Sequence, residues 1–162
     1  MEAKYGEAVR AGIAGGIVAA ILFVMVVLIG IFVTDVAWFT LDEFLAWVLL
    51  AAVMLFTGVL AVSWARNTIA NVDEAALVSA LAGGVAGFLG SLAFTISIAV
   101  TQFFVSYDFL ADAGRFEVLA ARSILSLIFG GVGCCLMPVI ILAGIVLAAI
   151  GGWIYWLATG KK

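Results

Sequence analysis

Histidine is absent from this chain of 162 residues, proline occurs once and cysteine twice. Without histidine there is no bis-His or His/Met haem ligation and no histidine general base. Zinc sites that draw on imidazole are excluded for the same reason. The two cysteines, Cys134 and Cys135, are neighbours, and two thiols do not complete a four-ligand zinc or iron–sulfur centre. They read as small packing residues within an apolar stretch. Charge is scarce as well: Asp, Glu, Lys and Arg make up 10 % of the chain, against about 25 % in soluble domains. No basic stripe marks a nucleic-acid footprint. No phosphate loop, nucleophile elbow, metalloprotease or dinucleotide motif occurs. No cofactor, metal site, nucleic-acid partner or enzymatic activity is therefore expected.

What the chain has is apolar length. It is 67 % hydrophobic, with a mean hydropathy of +1.37. Four apolar runs cover residues 9–33, 44–65, 75–106 and 124–158. A helix of about 20 apolar residues crosses a bilayer, so each run is long enough. The sequence predicts an all-α polytopic transmembrane helical bundle of four crossings, with the lipid bilayer as its first partner. Residues 1–162 form a single membrane domain, because no polar gap is long enough for an aqueous core. The first run has the charged start of a signal peptide (Lys4, Arg10). Its apolar part exceeds the ~7–15 residues of such a segment, and it reads as a retained membrane helix.

Orientation follows from lysine and arginine. With four crossings, Lys4, Arg10, Arg66, Lys161 and Lys162 fall on one side, and Arg115 and Arg122 on the other. That asymmetry predicts a multi-pass protein of the cell membrane with both termini in the cytoplasm. Trp38, Trp47, Trp64, Trp153 and Trp156 lie near run ends, where amphipathic rings favour the interface.

The two halves resemble each other. Glu7, Gly15, Gly16, Asp35 and Glu43 recur in order as Glu74, Gly83, Gly84, Asp108 and Glu117. This suggests a tandem repeat of two helical hairpins, units 7–66 and 74–158, related by an axis along the membrane normal. The second unit carries surplus apolar length. As one helix, residues 117–158 would extend about 60 Å, twice the hydrocarbon core. A break is therefore expected near Gly130, Gly131, Gly133 or Pro138. The preferred reading is an interfacial helix over 112–123 feeding a long tilted fourth crossing. A fifth crossing from Pro138, or a re-entrant half-helix, are the alternatives.

Glycine is the strongest local signal. Gly12, Gly15 and Gly16 cluster on the first helix, and Gly83, Gly84, Gly87 and Gly90 on the third. The spacing of Gly83 and Gly87 lets two helix backbones approach closely. These seven are the candidate helix-packing interface, within one protomer or between chains. Glu7, Glu74 and Glu117 stand at helix starts and suit the positive end of the dipole, with Asn71 and Asp73 as capping groups. Ser91, Thr95 and Gln102 follow one side of the third helix and are the candidate polar lining. Asp108 and Asp112 read as a solvated loop. Ionisable residues mark ion paths and proton relays, yet the centres of the first three runs contain none, and Arg122 is the single ambiguous case.

Together these features lead to a non-catalytic integral membrane subunit. It would pack through Gly-rich helix faces into a homo- or hetero-oligomeric complex, with other membrane subunits or copies of itself as partners. The alternative is a small oligomeric channel or carrier for a neutral or weakly charged solute.

Overall fold

The computed structural model describes the backbone of residues 3–32, 36–104 and 115–159, and the side chains of 3–26, 47–100 and 117–159. These residues form four helices: α1 (Ala3–Phe32), α2 (Val36–Ala65), α3 (Val72–Phe104) and α4 (Arg115–Thr159). Each is long and apolar enough to cross a membrane, and the molecule is an all-α, multi-pass transmembrane bundle. None has a distinct polar face, which is the mark of a helix whose surroundings are apolar all round. In lipid the backbone must satisfy its own N–H and C=O groups, so such runs have little choice but helix.

Side-chain pairings fix the topology. The Lys4 Nζ lies 3.1 Å from Glu74 Oε1 at the start of α1 and α3, and further along Gly16 faces Leu89, so these two helices run parallel. Down α3 and up α4, Ser79 faces Gly152, Gly83 faces Gly144, and Thr95 faces Gly133. The last of this series is Ser126, whose hydroxyl donates to the Ala99 carbonyl at 2.9 Å; α3 and α4 are antiparallel over their length. Gly58 of α2 meets Ala148 of α4, and Arg66 donates to the Thr159 carbonyl at 3.0 Å. The result is up-down-up-down. α3 is the hub, with its longest seam against α4 and its next against α1, while α1 and α4 stand apart across the bundle.

The core is built from small side chains. Ala8, Ala11, Ala61, Ala65, Ala75 and Ala82 pack with Val62, Ile69 and Val78 at the end marked by Lys4 and Glu74. Toward the middle, Ala19, Phe23, Leu50, Met54 and Ala86 form a second cluster. Phe94 closes it, with ring centroids 5.2 Å from Phe23 and 5.7 Å from Trp47. Where lipid tails are as apolar as the protein, helices associate through close van der Waals contact, and alanine and glycine permit it.

The α2–α3 turn is closed by local bonds. The Thr68 amide donates to the Ala65 carbonyl at 2.8 Å. The Glu74 amide donates to Asn71 Oδ1 at 2.8 Å, and Glu74 Oε2 accepts from the Ala70 amide at 2.9 Å. This reciprocal arrangement satisfies orphan donors at the start of α3. Asn71→Ala is expected to lower bundle stability by about 1 kcal/mol, read as a lower melting temperature in detergent micelles; an unchanged melt would show the cap contributes nothing.

The break expected in 117–158 does not occur. α4 is continuous from Arg115 to Thr159, 45 residues with Pro138 inside it, about 67 Å at about 1.5 Å per residue. Its continuity rules out both a fifth crossing that starts at Pro138 and a separate interfacial helix ending at 123. The physical reason lies on both sides of the proline. Gly133 is seated on Thr95 and Ile141 on Gly87, so α3 splints α4 across the one backbone bond that proline removes. A break would also expose unpaired backbone groups to lipid. The hairpin α3–α4 is consequently longer than α1–α2.

Candidate functional site

The seven candidate glycines of α1 and α3 each have a neighbour on another helix of the same chain. A Cβ at Gly12 would lie 2.7 Å from the Ala82 carbonyl oxygen, and one at Gly16 2.7 Å from Leu89 Cβ. Gly15 abuts Thr57 of α2. Gly83 abuts the Gly144 carbonyl, and Gly87 lies 3.0 Å from Ile141 Cα by the same measure. Gly90 sits at the centre, 3.4 Å from Ala19 Cβ, and Gly84 is the loosest, with only the Ile145 side chain at 3.5 Å. Six of the seven therefore lie in seams between packed helices, and Gly84 opens outward beside Ile145.

Gly58 was not singled out by the sequence, although its added Cβ would fall on the Ala148 carbonyl. Ala61 and Ala65, on the turns that follow it, are buried and have the small-xxx-small spacing that marked α3. Gly151 and Gly152 complete the seam against Leu55 and Ser79.

The polar candidates are packed rather than lining an open path. Ser91 is fully buried, and its hydroxyl donates back to the Phe88 carbonyl at 2.8 Å. Thr95 lies on the α3–α4 seam opposite Gly133, its Oγ1 buried and without a hydrogen-bond partner. Gln102 is in the last turn of α3; its side chain, like Asp108 and Asp112, lies outside the described residues. Thr57 and Ser79 are also buried, and each hydroxyl donates to a carbonyl four residues earlier, at 2.7 and 2.8 Å. Such bonds let a hydroxyl sit inside an apolar bundle at little cost.

The charged groups near the ends are mostly paired. Lys4 and Glu74 tie α1 to α3, and Arg10 and Glu7 pair one turn apart on α1 at 3.1 Å. Arg66 reaches the last carbonyl of α4, where a cation also complements the helix dipole. Arg122 is half-buried on the α3-facing side, one turn before Ser126, and its Nε is buried without a partner. Among the described residues no three His, Cys, Asp or Glu side chains converge.

One surface departs from this pattern. In its membrane-length stretch α4 is 22 % buried, against 33, 39 and 44 % for α1, α2 and α3. The shortfall lies in its first half, where Ile124, Leu127, Ile128, Phe129 and Val132 are all exposed and Gly133 is the one buried position between residues 117 and 137. Cys134 and Cys135 are free and exposed on the same half, so the expectation that they pack inside the bundle is corrected. Gly131 has nothing within 4 Å of its Cβ position, a condition it shares only with Gly6 among the described glycines. Gly131 and Cys135 are four residues apart and share an outward face.

No protein-family model, curated protein or solved structure matches the chain.

Proposed function

We propose that this chain is a non-catalytic integral membrane subunit, which packs through a small-residue helix face against further helices in a homo- or hetero-oligomeric complex. The observation that carries the reading is the outward face of α4 around Gly131. Inside the bundle, glycines on the membrane helices meet a neighbouring helix; Gly131 has the same residue type and no neighbour. The position needs none for its own fold, and a glycine in a helix interior costs about 1 kcal/mol relative to alanine. A second helix seated there would use the small-xxx-small spacing of Gly131 and Cys135. The scarcity of reactive groups in the sequence supports a structural rather than a chemical role. The cell membrane, with both termini in the cytoplasm, is the location favoured by the lysine and arginine distribution. A channel or carrier draws less support, because Ser91 and Thr95 face packed helices.

The native cysteines supply the test. Mild oxidation of intact membranes is expected to link Cys134 or Cys135 to a second chain, since disulfides form only when Cα atoms come within about 7 Å. Native mass spectrometry of the gently extracted protein then distinguishes a second copy from a different subunit. A chain that stays unlinked under oxidation and flies alone overturns the proposal.

A further inference from the structure

Pro138 leaves an acceptor in α4 without its donor. In an α-helix the amide of residue 138 would bond the Cys134 carbonyl, and proline has no N–H to give. The helix stays α-helical across the proline, so the next amide, that of Val139, serves Cys135 instead. A helix carbonyl points along the axis toward the residue four positions on, here Pro138. Cys134 and Pro138 are both exposed, so the freed carbonyl opens on the outward face of α4. It lies about 15 Å along the helix from Ile124, where the apolar run begins. Hydrocarbon offers no donor at that depth, and a lone carbonyl there is costly. Thr95 does not meet it: that hydroxyl is on the opposite side of α4, against Gly133, and has no partner.

The same outward face carries donors. Cys134 and Cys135 are free and exposed, and a thiol is a weak hydrogen-bond donor. At about 100° per residue, Cys135 lies about 40° to one side of Gly131. Pro138 lies about 20° and Cys134 about 60° to the other side, with the freed carbonyl between them. Donor and acceptor thus flank Gly131 at similar angles, separated by about 1.5 Å in height. A two-fold axis along the membrane normal, set in front of Gly131, brings each flank against the opposite flank of a second copy. An isologous contact needs a self-complementary patch, and this face supplies one.

We infer that the occupant of the Gly131 face is a second copy of this chain, related by that two-fold axis. The Cys135 thiol of each copy donates to the Cys134 carbonyl of the other, and the two backbones approach at Gly131. This rests on the Gly131 face being an interface, as proposed above, and adds the identity of the partner and the bonds that hold it.

The experiment is a double-mutant cycle on the whole chain in mild detergent, with paired chains counted by native mass spectrometry. Pro138→Ala gives the Cys134 carbonyl a donor within its own helix, and Cys135→Ala removes the thiol. Each is expected to weaken the pair about fivefold, through the loss of two symmetry-related bonds. The double variant should lose no more than either alone. Cys135→Ser keeps a donor and should keep the pair. Detergent melts check the fold, and Pro138→Ala should melt no lower than wild type. Oxidation of membranes gives an independent reading. Cys134→Ala and Cys135→Ala chains should each stay unlinked alone and link when co-expressed, because Cys134 of one copy meets Cys135 of the other. No loss from either substitution in the cycle, losses that add, or linking of a single variant on its own each overturn the inference. So does an assembly that Gly131→Leu disperses but that holds one copy of this chain; the interface then stands, with a different subunit. An assembly that Gly131→Leu leaves intact overturns the interface as well.

Discussion

Replacing Gly58 or Gly83 with leucine is expected to destabilise the bundle itself, not to release intact protomers from an assembly. Both positions lie where two backbones touch. At Gly83 an added Cβ would fall on the Gly144 carbonyl, with the carbonyl carbon 2.8 Å away, and at Gly58 on the Ala148 carbonyl, with its Cα 2.9 Å away. A carbonyl in a helix cannot rotate aside as a side chain can, so the helices must separate along a shared seam. Overpacking a core costs about 1–3 kcal/mol when side chains can adjust and more when they cannot. The expected loss is at the upper end or beyond it, a large part of the ~5–15 kcal/mol that holds a typical domain. Helical circular dichroism against added sodium dodecyl sulfate would register it as an earlier transition. Gly84→Leu is the control, because only Ile145 lies near it, and it should melt as wild type does. A Gly83→Leu protein with an unshifted transition would mean that α3 and α4 do not approach as closely as described.

Gly131→Leu should produce the opposite pattern. Nothing lies within 4 Å of its Cβ position, and leucine is the better helix former by roughly 1 kcal/mol, so the isolated bundle should be as stable as before or slightly more. Association through that face should weaken by about tenfold or more, because a branched side chain holds two backbones apart where glycine lets them touch. Native mass spectrometry and oxidative linking through Cys134 and Cys135 read the assembly; the detergent melt reads the fold. If assembly size is unchanged while the fold is intact, the Gly131 face is not an interface.

The helical class and the number of crossings were legible in the sequence because lipid leaves apolar runs of this length few alternatives. The glycine positions were legible too, but not what each one meets. Gly83 and Gly131 look alike in the chain, and only the placement of Gly144 distinguishes the packed one from the open one. Direction along a helix surface depends on which neighbours occupy which side, and these sequences are apolar on every side. The same blindness led Cys134 and Cys135 to be read as packed. Pro138 misled for a different reason: its cost to an isolated helix is local, whereas the Thr95–Gly133 and Gly87–Ile141 contacts that hold α4 straight through it come from a partner helix. Gly58 was overlooked because a single glycine among alanines gives little contrast.

The unbroken length of α4 has a mechanical consequence for the membrane around it. Its apolar residues 124–158 span about 52 Å at about 1.5 Å per residue. Tilt alone would have to reach about 55° to fit them within a hydrocarbon core about 30 Å thick, and transmembrane helices rarely exceed about 40°. At about 40° of tilt the run still spans about 40 Å. The excess is taken up by seating its Trp153 and Trp156 end among the headgroups or by thickening the bilayer at the rim of the molecule, at a cost of fractions of a kcal/mol for each ångström. Two such rims that coalesce strain less lipid than two apart. Any thickening of this kind favours thicker regions of membrane for the chain, through a force that acts on lipid and needs no side-chain contact.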